Sequence, residues 1–123
     1  MRRQDKSSAA APARDPVLQR YEAQFQALRA QLAELGFFCK GTVLERRMTC
    51  GKPTCACGTD PARRHGPYFE WTYKEAAKTV NVRLTPEAVA VYRAGTAEWR
   101  RLRRLLTRLE SLSRRAISRQ ARA

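Results

Sequence analysis

The spacing of apolar positions changes along this chain, and each spacing predicts a different element. Leu18, Tyr21, Phe25, Leu28, Leu32 and Leu35 recur every three or four residues, the seam of an amphipathic helix. Asp15 and Pro16 supply an N-cap and a proline at the first helical position, and Gly36 is placed to end the helix at C′. From Phe37 the pattern changes. Thr42 to Met48 predicts a short strand. Tyr68 to Lys74 alternates, with Phe69, Trp71 and Tyr73 on one face and Tyr68, Glu70, Thr72 and Lys74 on the other. Thr79 to Leu84 alternates again, setting Val80, Val82 and Leu84 against Thr79, Asn81 and Arg83. The turn between them, Glu75 to Lys78, lacks the Gly or Asn that a tight hairpin prefers. Thr85, Pro86 and Glu87 open a second helix with a cap, a proline and an acid. It is expected to run to about Ser118 on a seam of Leu102, Leu105, Leu109, Leu112 and Ala116, with Gly95 kinking or dividing it.

The fold class that follows is α+β: an N-terminal helix, a small antiparallel three-stranded sheet with a Cys/His zinc-knuckle loop, and a long C-terminal helix. Residues 1–15, rich in Ala, Ser, Arg and Pro, predict a disordered basic tail. Residues 16–118 form one expected domain and 119–123 a frayed end. The two leucine seams suit each other in antiparallel pairing, or a second copy of the chain, so a homodimer is expected.

Charge narrows the partners. Lys plus Arg number 25 against 11 Asp plus Glu, giving a formal net charge of +14 and a pI near 10.8. Such a balance speaks to phosphate backbones or anionic surfaces, not to fold. No stretch approaches the roughly 18 apolar residues of a membrane span, and the N-terminus lacks the apolar run of a signal peptide. A cytoplasmic, nucleoid-associated protein is therefore expected, binding nucleic acid and not membrane.

Between the first two strands the spacing is Cys50-x4-Cys55-x-Cys57-x7-His65. Zinc takes four soft or borderline donors in a tetrahedron, and Gly51 and Pro53 suit a loop that wraps an ion. A structural Zn²⁺ on Cys50, Cys55, Cys57 and His65 is the expected cofactor. Arg46, Arg47, Lys52, Arg63 and Arg64 would offset the site's negative charge and favour thiolates. The pattern has no Cys-x2-Cys pair, so ordinary reduced cysteines and a redox pair are alternatives. Cys39 is the other candidate for the fourth ligand, although after Phe37 and Phe38 it reads as a small buried hydrophobe. His65 also suits a hydrogen bond at a Gly-Pro turn.

Three groups are candidates for nucleic-acid contact. The polar hairpin face carries Tyr68, Thr72, Lys74, Asn81 and Arg83, and such a sheet fits the major groove. The cysteine loop carries Arg46, Arg47, Lys52, Arg63 and Arg64. The helix end from Trp99 onward holds nine arginines and a single acid, Glu110; Arg100, Arg101, Arg103, Arg104, Arg108, Arg114 and Arg115 are its candidates. A solvated outer face explains the first group equally well. With one histidine, no Gly-x-Ser-x-Gly, no P-loop and no acidic metal cluster, no catalytic residue is assigned and an enzyme is not expected.

The string Cys50-Gly-Lys-Pro-Thr-Cys55-Ala-Cys57, followed by His65-Gly-Pro-Tyr68 and Lys78-Thr-Val, resembles a family of small bacterial proteins known only as a domain of unknown function. Their shared core reads CGKPxCxC, HGPYY, GKT. The resemblance spans about residues 17–115 and departs at Ala77, where a glycine is usual, which suggests a longer turn here. It implies that Cys50, Cys55, Cys57 and His65 act as one constellation, and that the protein works beside transposases, integrases and other mobile-element genes. The hairpin is more loosely similar to AP2-like and integrase arm-type DNA-binding domains, a likeness of fold alone. The expected function is binding of nucleic acid, double-stranded DNA first, as a regulator or accessory factor of a mobile element. A protein-interaction subunit pairing with a transposase or recombinase, or an RNA or ribonucleoprotein binder, is the alternative.

Overall fold

A computed structural model describes residues 15–122. Its order is helix α1 (Pro16–Leu32), strand β1 (Thr42–Met48), strand β2 (His65–Glu75), strand β3 (Lys78–Leu84) and helix α2 (Pro86–Arg122), with short 3-10 turns at Ala56–Gly58 and Pro61–Arg63. The α+β class is as expected; the expected tail over 1–15 falls outside the described residues apart from Asp15. The chain forms two compact units. One comprises α1 with the part of α2 from Arg104; the other runs from Leu35 to Arg103 and holds the sheet.

In the helical unit the two seams meet each other within the chain. Leu28 of α1 is buried with Leu105, Leu109 and Leu112 of α2, and Tyr21, Phe25 and Leu32 pack around them. Asp15 caps α1, its carboxylate accepting the Val17 N–H at 2.9 Å. The same carboxylate accepts two bonds from the Arg119 guanidinium, at 2.7 and 3.2 Å, which sets the helices antiparallel. That pair explains why α2 continues to Arg122 and residues 119–122 are helical instead of frayed: a cation in the last turn is held by an acid and favoured by the helix dipole. Replacing Leu105, 3% exposed, with alanine removes one of four buried leucines, and a fall of about 3 kcal/mol in unfolding free energy is expected by denaturant titration.

Arg119 also holds the Asp15 carboxyl below its ordinary value of 3.8, chiefly through their side-chain hydrogen bond. A depressed carboxylate contributes stability at pH values above its unfolded pKa and loses it as pH falls through the folded one. Asp15→Asn keeps a capping oxygen but drops the charge. It is expected to lower Tm at neutral pH, and the difference from wild type should shrink in melts run below about pH 4.

Helix α1 stops at Leu32, four positions short of Gly36. The Ala33 and Glu34 N–H groups bond back to Ala30 and Gln31, closing a turn. In the sheet unit, the Gly36 N–H donates to the Glu98 carboxylate at 2.8 Å, so it is a tether and not a helix cap.

The sheet has order β1-β2-β3, all antiparallel. Phe69, Trp71 and Tyr73 lie opposite Leu84, Val82 and Val80 and so share one face. That face packs on the first part of α2: Trp71 stacks on Tyr73 at 4.2 Å and meets Tyr92 at 5.1 Å. Helix α2 passes through Gly95 without a break. The glycine serves close approach: a Cβ there would stand 3.1 Å from Cys39 Sγ, and its carbonyl accepts the Cys39 N–H at 3.2 Å.

The β2–β3 turn is the tight two-residue form, not a longer one. Glu75 pairs with Lys78, and Ala76 and Ala77 take φ of 50° and 66°. Both alanines therefore sit in the left-handed region, which costs an L-residue about 1–2 kcal/mol. Ala77→Gly relieves this, and a gain of about 1 kcal/mol, read as a higher urea midpoint, is expected.

Candidate functional site

Met48, at the end of β1, lies opposite His65, the first residue of β2. The cysteine loop thus leaves and rejoins the sheet at one end, and His65 stands on a strand rather than in the loop where the sequence places it. Cys55 precedes the 3-10 turn Ala56–Gly58, which brings Cys57 back toward Cys50. Donor atoms of Cys50, Cys55, Cys57 and His65 all lie within 4.8 Å of one another, close enough to hold a metal ion. Cys50 and Cys57 Sγ are 3.6 Å apart, and Cys55 Sγ is 3.4 Å from His65 Nε2. A tetrahedron with Zn–S of about 2.3 Å and Zn–N of about 2.0–2.1 Å has edges of about 3.8 Å between sulfurs and about 3.5 Å from sulfur to nitrogen. The donor set and its spacing fit a zinc site. Since Nε2 faces the cluster, a ligating His65 carries its proton on Nδ1.

Backbone groups support the sulfurs. The Cys50 N–H donates to Cys57 Sγ at 3.3 Å. The Cys57 backbone N–H, with the Cys57 and Cys50 thiols, draws the Cys55 thiol below its usual range. At Cys57 the Cys50 N–H acts in the same sense, but burial and the two neighbouring thiols outweigh it and push this thiol up. Gly66 sets the strand entry beside His65: its φ is +132°, and a Cβ there would come 2.8 Å from the Arg46 carbonyl oxygen. Cys39, packed on Gly95, stands outside the cluster, which leaves His65 as the fourth member.

The register also brings the polar hairpin residues together. Tyr68 lies opposite Arg46, Glu70 opposite Arg83 and Leu44, Thr72 opposite Asn81 and Thr42, and Lys74 opposite Thr79. Arg46, Tyr68, Thr72, Lys74, Asn81 and Arg83 therefore share one face of the sheet. Two of its cations are already engaged. Arg46 pairs with Glu70 at 3.3 Å, and the Arg83 guanidinium lies 4.5 Å from the Tyr68 ring centroid. A hollow of about 300 Å³, bordered by Cys50, His65, Tyr68 and Arg83, joins this face to the Cys/His cluster.

The remaining candidates are spread. Arg47 donates to the Gly66 carbonyl at 3.4 Å, and Arg63 reaches Asp60 at 3.9 Å. Lys52 and Arg64 are exposed on the loop. Arg100 is exposed on the first part of α2 and Arg101 is half-buried there, whereas Arg104 and Arg108 belong to the helical unit. Periodicity misses Lys40, because it precedes β1 and belongs to no alternating run; the Trp71 indole N–H fixes it by donating to its carbonyl at 2.8 Å.

No helix among the described residues is long and apolar enough to cross a membrane. Neither a curated protein nor a solved structure matches the chain. One family model does, over residues 18–94, which include the Cys/His cluster, the whole sheet and the start of α2, and by that match the chain belongs to the domain of unknown function DUF6788.

Proposed function

We propose that this protein binds double-stranded DNA through the polar face of its sheet, with a structural zinc ordering the loop beside that face. The observation that carries the reading is the register, which sets Arg46, Tyr68, Thr72, Lys74, Asn81 and Arg83 on one face next to the cysteine cluster. A small sheet enters the major groove, where arginine recognises guanine and asparagine adenine, while lysine and threonine hold phosphates. Arg83 and Asn81 are the base readers in this account. Arg47, Lys52, Arg63 and Arg64, on or beside the metal-ordered loop, and Arg100, Arg101, Arg104 and Arg108 on α2 supply phosphate contacts. Three cysteines and one histidine would fill a zinc coordination sphere, leaving no position on the ion for a reacting water, so in this reading the metal's role is structural. The resemblance carried by the cysteine and HGPY strings adds a place: regulator or accessory factor of a mobile element, acting as a homodimer, with a transposase or recombinase as a further partner.

Selection from randomised duplex DNA and RNA pools, run in parallel near physiological salt, tests this. Enrichment of one duplex motif is expected, and a palindromic motif supports the dimer. Arg83→Ala should relax the motif while leaving the circular dichroism spectrum unchanged. Preference for RNA, or retention with no enriched motif, overturns the reading.

A further inference from the structure

At the hairpin end of the sheet, opposite the metal loop, lies a hollow of about 390 Å³. Three cations line it, Lys40, Lys74 and Arg103, and among the described residues no carboxylate does. Elsewhere in the same unit several arginines are matched: Arg46 with Glu70, Arg63 with Asp60, Arg83 on Tyr68 and Arg93 on Phe69. Here Lys40 has only the Tyr73 ring, 5.9 Å from its ammonium, and neither Lys74 nor Arg103 has an acidic partner among the described residues. Like charges around one hollow repel, and an anion placed between them reverses the sign of each interaction.

The rest of the lining gives the anion an identity. Thr42 and Thr72 face each other across β1 and β2, and Thr79 stands opposite Lys74, so hydroxyl donors stand beside the cations. Trp99 forms another wall, with the Phe38 ring 5.8 Å away as its aromatic neighbour. Hydroxyls and cations recognise phosphate, and an indole recognises a base by stacking. The volume lies within the range of small-molecule sites, about 300–1,000 Å³. The supports are rigid: Lys74 and the threonines sit on paired strands, and the Trp71 indole holds the backbone at Lys40.

We infer that this hollow binds one nucleotide, its phosphate held by Lys40, Lys74 and Arg103 and its base against Trp99. The nucleotide is free in solution or is an unpaired residue of a strand; a base inside a duplex is not available to Trp99. The hollow shares Lys74 and Thr72 with the polar sheet face, whereas Lys40, Trp99 and Arg103 lie outside the residues assigned to duplex contact, and these three separate the two readings.

Tryptophan fluorescence of the full chain tests it, with adenosine monophosphate, inorganic phosphate, a short single-stranded oligonucleotide and a duplex as probes. Saturable quenching by the mononucleotide is expected, together with competition by inorganic phosphate. Trp99→Phe should remove most of the quenching. Lys40→Gln with Arg103→Gln should weaken binding at least tenfold, with thermal melting confirming the fold. A single strand binding tenfold or more tighter than the mononucleotide identifies the unpaired residue of a strand as the source; equal or weaker binding identifies the free nucleotide. Absence of saturable quenching by both, or quenching indifferent to the double glutamine variant, overturns the inference. Duplex binding that survives in that variant while mononucleotide binding is lost supports it and leaves the sheet-face reading intact.

Discussion

Chelating the metal will release about one zinc per chain and turn Cys50, Cys55 and Cys57 from protected into reactive thiols, in the proposed account of the cluster. The three sulfurs and His65 gather within 4.8 Å, a proximity from which thiols and an imidazole gain little without an ion between them. The backbone between β1 and β2 offers little packing of its own: its secondary structure is two 3-10 turns, and Cys57 is its one buried residue among those described. Structural zinc in small domains contributes about 10–16 kcal/mol of apparent binding free energy, largely as folding free energy. The sheet unit spans Leu35–Arg103, and in a unit of that size even about 3 kcal/mol lowers Tm by about 15 °C. Cys57→Ser and His65→Ala should reproduce the fall, whereas Cys39→Ser, outside the cluster, should not. Metal analysis, thiol titration before and after chelation, and melting curves read the result. A chain purified without metal, with thiols equally reactive throughout, sinks the zinc assignment.

The parts of this fold legible in the sequence are those governed by one local rule. Period two in Tyr68–Lys74 and Thr79–Leu84 assigns both sheet faces correctly, because β2 and β3 pair without a bulge and the pleat alone sets orientation. The leucine seams mark the helical core, because Leu28, Leu105, Leu109 and Leu112 keep their spacing through the contact. The cysteine spacing marks the cluster, because Cys50, Cys55 and Cys57 share one loop and His65 follows it directly at the start of β2.

What escapes depends on distant partners. Nothing near Gly36 announces that its N–H donates to Glu98, 62 positions on, so periodicity carries α1 too far. Arg119 reads as a frayed arginine until Asp15, 104 positions away, is seen to hold it. The hairpin turn escapes for another reason: Ala76 and Ala77 accept left-handed backbone that their own preference disfavours, because the paired strands on either side leave room for only two residues. The fourth member of the cluster is open between Cys39 and His65 until packing on Gly95 removes the cysteine. Lys40 belongs to no periodic run, and only the structure brings it to one hollow with Lys74 and Arg103.

Raising monovalent salt from about 50 to 200 mM will weaken DNA binding by about a thousandfold if six or more phosphates are contacted, since each releases close to one counterion. The net charge of +14 makes such a count attainable, but charge alone does not bind. The useful contacts are cations that no carboxylate already satisfies. Lys52 and Arg64 are exposed and unpaired among the described residues, whereas Arg114 sits 3.8 Å from Glu110. Lys52→Ala and Arg64→Ala should each lower the slope of log K against log salt by about one. Arg114→Ala should leave it unchanged, because an arginine already neutralised by Glu110 releases no counterion from a phosphate. The metal bears on the same measurement. A loop released by chelation still carries Lys52 and Arg64, but no longer at fixed positions, so the slope should fall along with the affinity. A slope near zero in the loaded protein means that the charge serves solubility and that the sheet face reads no DNA.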